Sequence, residues 1–171
     1  MRLPHRGGVF LRVVGGALVL TVAIIVAGCG SSAKPKAQII AGTGFRFSAP
    51  AGWTVQRGVT AVTATQGEQF VRVLTFPLGR VYRPQLFAKL GAELKVRMTA
   101  LAKQTGGTIQ GTGVATAGGI RAHVWRVKTG GSLDEYTFVL RGRREYQLLC
   151  RRSSSGDDAA CTQLVSTFQL T

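Results

Sequence analysis

Phe45 and Phe47 alternate with Arg46 and Ser48, the two-residue period of a strand with one buried face. Turn chemistry over residues 50–52 stops that strand, and Trp53 follows, placed to cover the edge of a core. Ile39 and Ile40 are positioned to join the first strand. Further strands are expected over residues 59–64 and over Gln69–Pro77, where Phe70, Arg72, Leu74 and Phe76 alternate with Val71, Val73 and Thr75. The period then changes. Leu86, Leu90, Leu94, Met98 and Leu101 form one apolar stripe, with Phe87 beside it, which predicts a helix over residues 84–104. Pro84 suits its first position, Gly106 and Gly107 stop it, and Lys89, Glu93 and Arg97 are spaced to interact along another of its faces.

Four strands are expected after the helix, over residues 108–116, 120–128, 133–141 and 144–151. Ala117-Gly118-Gly119, Thr129-Gly130-Gly131 and Arg141-Gly142-Arg143 make the hairpin turns between them. Asp157 or Asp158 is placed to cap a short last helix whose inner face carries Cys161, Leu164, Val165 and Phe168. The order predicts one α+β domain, 42–171, in which a mostly antiparallel sheet is flanked by one long and one short helix.

The first thirty residues follow a different logic. Arg2, Arg6 and Arg12 precede an apolar run over residues 13–27, and Gly28-Cys29-Gly30 follows. A basic start, an apolar stretch of about fifteen residues and small residues at its exit describe a secretory signal; a bilayer span needs about twenty. Val26-Ala27-Gly28-Cys29 resembles the lipobox of bacterial lipoproteins, which implies cleavage before Cys29 and a diacylglyceryl group on its sulfur. The reading is therefore a signal peptide over 1–28 and a lipidated Cys29 with a tether over 29–41, basic at Lys34 and Lys36. A flexible tether of that length reaches about 20 Å. The expected location is the extracytoplasmic face of a bacterial cell membrane, held there by two acyl chains.

That compartment suits the remaining cysteines. Cys150 and Cys161 are an even pair outside the cytoplasm and read as a disulfide. With His123 they are too few to make a structural zinc site, and no cofactor is expected.

Charge sharpens the picture. The 171 residues carry 22 Lys+Arg against 7 Asp+Glu, a formal charge of +15. Removal of residues 1–28 takes three arginines and no acid, leaving +12. Such a surface attracts anionic headgroups or acidic wall polymers. Arg121, Arg126, Arg141, Arg143, Arg144, Arg151 and Arg152 are the candidate polyanion contacts, alongside the plainer reading of a solvated basic face. No nucleic-acid-binding signature accompanies them.

The strand F-x-F-x-x-P-x-G-W (Phe45, Phe47, Pro50, Gly52, Trp53), the mid-chain helix, the meander and the closing helix together resemble PsbP/Mog1-like domains, among them small LpqN-type lipoproteins of bacteria. The resemblance covers about residues 38–171. It implies an antiparallel sheet between helices and an accessory or partner-binding role, with no shared catalytic residues to carry over. Cys150 and Cys161 stand outside the general family pattern.

The search for catalytic chemistry gives little. His123 is the one histidine after the signal, and Asp134 and Glu135, being adjacent on a strand, face opposite ways. Glu68, Glu93 and Glu145 read as isolated surface charges. Ser31-Ser32-Ala33-Lys34 and Lys128-Thr129-Gly130 match two motifs of penicillin-recognising enzymes, but the third needs an asparagine and the chain has none. Gly111-Thr112-Gly113 lacks the strand–helix setting of a dinucleotide loop. A non-catalytic envelope lipoprotein is thus the expectation. The alternatives are a carrier or sensor of a lipid or small apolar ligand between helix and sheet, and a cell-wall hydrolase. Substituting Cys29→Ala should abolish lipid attachment; a variant that still partitions into membranes and migrates like the parent would overturn the anchor.

Overall fold

The computed structural model describes residues 37–171. The signal segment, Cys29 and the tether as far as Lys36 lie outside the described residues. The element order is β1 (Ala37–Gly42), β2 (Phe45–Pro50), β3 (Thr54–Arg57), β4 (Ala61–Gln66), β5 (Gln69–Pro77), a 3-10 turn (Pro84–Leu86), α1 (Phe87–Gln104), β6 (Thr108–Ala117), β7 (Ile120–Thr129), β8 (Ser132–Arg141), β9 (Arg144–Ser153), α2 (Ala159–Thr167) and β10 (Gln169–Leu170). The α+β architecture read from the sequence is the one observed, a mostly antiparallel sheet with one long and one short helix.

The large sheet has seven strands in the order β3-β4-β5-β9-β8-β7-β6, every neighbouring pair antiparallel. Residues directly opposite one another share a face. Phe70, Leu149, Tyr136, Trp125 and Phe138 therefore line one side, where the α1 stripe covers them with Leu94, Met98 and Ala102. Val71, Val73, Tyr146, Leu148 and Val139 line the other side. There a second sheet of order β1-β2-β10 and helix α2 close the core with Ile40, Phe45, Phe47, Leu164 and Phe168. The sheet is thus buried on both faces, and its central strands are apolar in both registers.

Three features differ from the sequence reading. The chain is already paired strand from Ala37, so the tether read as running to residue 41 ends sooner. The first two strands form a sheet of their own, completed by β10, whose two residues are too few to show a period. Strand β3, four mostly exposed residues, likewise leaves no alternation to read. At α2, Asp158 occupies the cap position without a side-chain bond, and Asp157 Oδ1 accepts the Ala159 N–H at 2.7 Å instead.

Close approach fixes one glycine. A Cβ on Gly91 would stand 2.8 Å from His123 Cε1, so a bare backbone lets the start of α1 settle on β7. The His123 ring stacks on Phe87 at 3.8 Å between centroids, and its Nε2 lies 2.9 Å from the Phe87 carbonyl oxygen. This histidine is a packing residue at the helix start.

Cys150 and Cys161 form a disulfide with Cα atoms 5.3 Å apart, both sulfurs buried between β9 and α2. Closing a loop of that size stabilises by about 3 kcal/mol in the chain-entropy description. The Cys150→Ala/Cys161→Ala variant should lose about 2–4 kcal/mol in denaturant unfolding. An unchanged midpoint would show that the bridge contributes nothing beyond packing.

Candidate functional site

The seven arginines proposed from sequence as polyanion contacts do not converge. The β8–β9 hairpin separates them. Its turn carries Arg141, Arg143 and Arg144, with Arg141 directly opposite Arg144. Arg151 and Arg152 lie at the far end of β9, and Arg126 on β7 opposes Glu135 toward that same far end.

At the turn end the arginines are exposed and carry no carboxylate partner among the described residues. The segment after β5 brings two more. Its Leu78 N–H donates to the Arg143 carbonyl at 2.9 Å and its Tyr82 N–H to the Gly142 carbonyl at 2.7 Å, which clamps residues 78–83 against the hairpin turn. Arg80 and Arg83 are thereby added to the group. Arg121 completes it from the start of β7, its guanidinium 4.3 Å from the centre of the Phe87 ring. Partial burial pushes the Tyr82 phenol above its ordinary value, opposed by the positive charge of nearby Arg121.

The far end is built the other way. Arg126 Nε donates to Glu135 at 2.6 Å, and Arg151 donates through Nε and Nη2 to both oxygens of Asp134 at 2.7 Å. That two-pronged bond holds the Arg151 guanidinium above its ordinary value against desolvation. Arg152 Nη1 donates to the Gly156 carbonyl at 2.8 Å. Glu68, Asp157 and Asp158 sit on turns at this end too, so five of the seven acids gather here. Arg126, Arg151 and Arg152 are therefore engaged within the fold, whereas Arg121, Arg141, Arg143 and Arg144 have no carboxylate partner among the described residues.

Between helix and sheet the space is divided. The centre is filled, with Leu94 and Met98 each 1% exposed. Along one flank of α1, however, an open groove of about 470 Å³ runs over Leu78, Tyr82, Leu90 and Leu140, rimmed by Arg80 and Lys89. A second open groove of about 640 Å³ continues past Phe76, Met98 and Leu101. Both are walled by Arg97 and Glu145, whose 2.6 Å ion pair bridges α1 to β9. Glu145, read from sequence as a surface charge, is 5% exposed, and Arg97 reaches across to it rather than pairing along its own helix with Glu93.

The remaining candidates stay apart. Asp134 and Glu135 bond Arg151 and Arg126 from opposite faces of β8. Glu68 and Glu93 are exposed. Lys128-Thr129-Gly130 ends β7 in a hairpin, Gly111-Thr112-Gly113 lies on the edge strand β6, and Ser31 and Lys34 fall outside the described residues. Sequence reasoning missed Arg80, Arg83 and the Arg97–Glu145 bridge. The first two stand in an aperiodic stretch, and only the backbone bonds to the hairpin turn reveal their place.

No protein-family model matches the chain, and no curated protein matches it in sequence. Among solved structures, cyanobacterial PsbP (CyanoP) from Synechocystis sp. PCC 6803 is similar over 85% of this chain and 99% of its own, with a TM-score of 0.57 at 13% identity. A protein from Bacteroides thetaiotaomicron aligns over 81% of this chain with a TM-score of 0.46 at 11% identity. The chain spans about half of that protein's length, 49%. The fold is PsbP-like.

Arg97→Ala strands a buried carboxylate. Full burial of both partners would make that cost about 3–5 kcal/mol; with Arg97 half in water, about 2 kcal/mol is expected. Adding Glu145→Gln should recover part of the loss. A double variant less stable than Arg97→Ala alone would show that Glu145 has another partner.

Proposed function

We propose that this chain is a non-catalytic accessory lipoprotein of the LpqN type. It is anchored through Cys29 on the outer face of a bacterial cytoplasmic membrane and engages an acidic envelope partner through the arginine-bearing end of its sheet. The observation that carries the reading is the sorting of charge. Arg80, Arg83, Arg121, Arg141, Arg143 and Arg144 share one end where Glu145 is taken up by Arg97 and Glu93 is the other acid nearby, while the remaining five acids lie at the far end, two of them bonded to arginines. Clustered exposed cations without carboxylate partners cost the fold their mutual repulsion, which suits a surface kept for a partner. The PsbP-like fold supports an accessory role, as the family resemblance implies. The scatter of the acids supports a non-catalytic one, because paired-carboxylate chemistry needs two that converge across a cleft.

A second reading, carriage of a small apolar or amphiphilic ligand, is favoured by the groove over Leu78, Tyr82, Leu90 and Leu140. The filled centre of the interface confines such a ligand to the helix flank.

Crosslinking the full chain in cells and recovering its partners tests the main reading. The parent should capture an acidic envelope component that Arg141→Gln/Arg143→Gln/Arg144→Gln loses, at equal abundance of the two chains. Equal capture by both would move the interface elsewhere.

A further inference from the structure

We propose that the six-arginine crest binds the phosphate groups of an extended polyanion. The inference rests on the reading of an anchored module with a basic binding end, and it names what that end takes.

Two observations choose a polymer over a compact anion. The six cations stand on separate exposed segments: Arg141, Arg143 and Arg144 on the hairpin turn, Arg80 and Arg83 on the clamped segment, Arg121 on β7. A single small anion reaches one or two such positions; a chain of repeated charges reaches all of them. All six are also arginine, with Lys89 the one lysine beside them at the groove rim among the described residues. The guanidinium fork matches the oxygens of a phosphate in pairs, where a lysine offers only a point charge.

The described chain enters the domain away from the crest. Ala37 pairs with Pro50, and Gln38 Nε2 donates to the Trp53 carbonyl at 2.8 Å and the Pro50 carbonyl at 3.1 Å. Trp53 leads into Thr54, opposite Thr65, beside the Gln66–Gln69 turn that also carries Glu68. This is the acid-bearing end. The other end of β1 turns at Thr43-Gly44, where a Cβ on Gly44 would come 3.5 Å from the Tyr146 hydroxyl and 3.9 Å from Arg144 Nη1. The entry point and the crest thus lie toward opposite ends of β1, roughly the 20 Å of a six-residue strand apart, so Ala37 does not crowd the crest.

Long-chain inorganic polyphosphate is the probe, and the full chain anchored in vesicles of neutral phosphatidylcholine is the receptor. Polyphosphate should bind more tightly than the same phosphate supplied as monomer. Binding should weaken more than about tenfold between roughly 50 and 200 mM salt, since each neutralised phosphate adds to the salt slope. Arg141→Gln/Arg143→Gln/Arg144→Gln should lower affinity at least about tenfold. Lys95→Gln/Lys103→Gln, two exposed cations of α1 outside the crest, should leave it within about twofold. Equal unfolding midpoints for parent and variants show that the fold is intact.

Replacing part of the neutral lipid with phosphatidylglycerol separates the sources of phosphate. Unchanged polyphosphate affinity supports a crest that takes the polymer; strong competition by the anionic lipid overturns it. Full binding by the triple arginine variant also overturns the proposal. So does a failure to bind polyphosphate, and if an acidic envelope protein is still captured in cells through the same arginines, only the phosphate polymer is lost and the accessory reading stands.

Discussion

Alternation along β9 sends Tyr146, Leu148 and Cys150 to one face of the large sheet and Leu149 to the other, and both sets must be kept from water. Neither helix could cover both faces. The molecule therefore needs two separate lids: α1 on one side, and the small three-stranded sheet with α2 on the other. Each lid is also bonded to β9. Arg97 bridges α1 to Glu145, and Cys161 bridges α2 to Cys150. Both bonds end on β9, so this strand is at once the centre of the sheet and the anchorage of its covers.

The covers differ in how completely they close. The small sheet and α2 meet the large sheet through aromatic side chains, Phe45, Phe47, Tyr146 and Phe168, whose rings pack at centroid distances near 6 Å. Helix α1 presents a narrower stripe, and past Leu94 and Met98 its flank leaves the sheet open toward Leu78 and Leu140. A flat sheet under a cylindrical helix leaves such a margin wherever no side chain is long enough to fill it. Here Arg97 crosses the margin, dividing one groove from the next.

Much of this was legible in the residues. Strands β5 to β9 are long enough for the two-residue period to show, their glycine turns mark the ends, and the α1 stripe sustains its spacing across four turns. The short strands β3 and β10 contain too few residues for a period, and alternation does not show that the neighbouring strands β1 and β2 leave the large sheet to form a second one, which β10 completes from far along the chain. The charge pattern is an intermediate case. Once residues 141–144 are read as a turn, Arg151 and Arg152 must lie at the opposite end of the hairpin from Arg143, so the division of the arginines follows from counting along β9. What counting could not supply is Glu145, whose position on the covered face depends on the helix that lies over it.

The disulfide has a bearing on how the molecule is made. Both thiols lie in the last quarter of the chain, at 150 and 161 of 171 residues. A polypeptide delivered N-terminus first has already emitted β1 through β8 before either sulfur emerges. The bond between them can therefore form only once β9, the centre of the large sheet, and α2 have arrived, so it fastens the last elements of the fold to each other. If Cys29 has by then been capped with lipid, the two late thiols have only each other, and a protein with three cysteines matures with no scrambled pairing to undo.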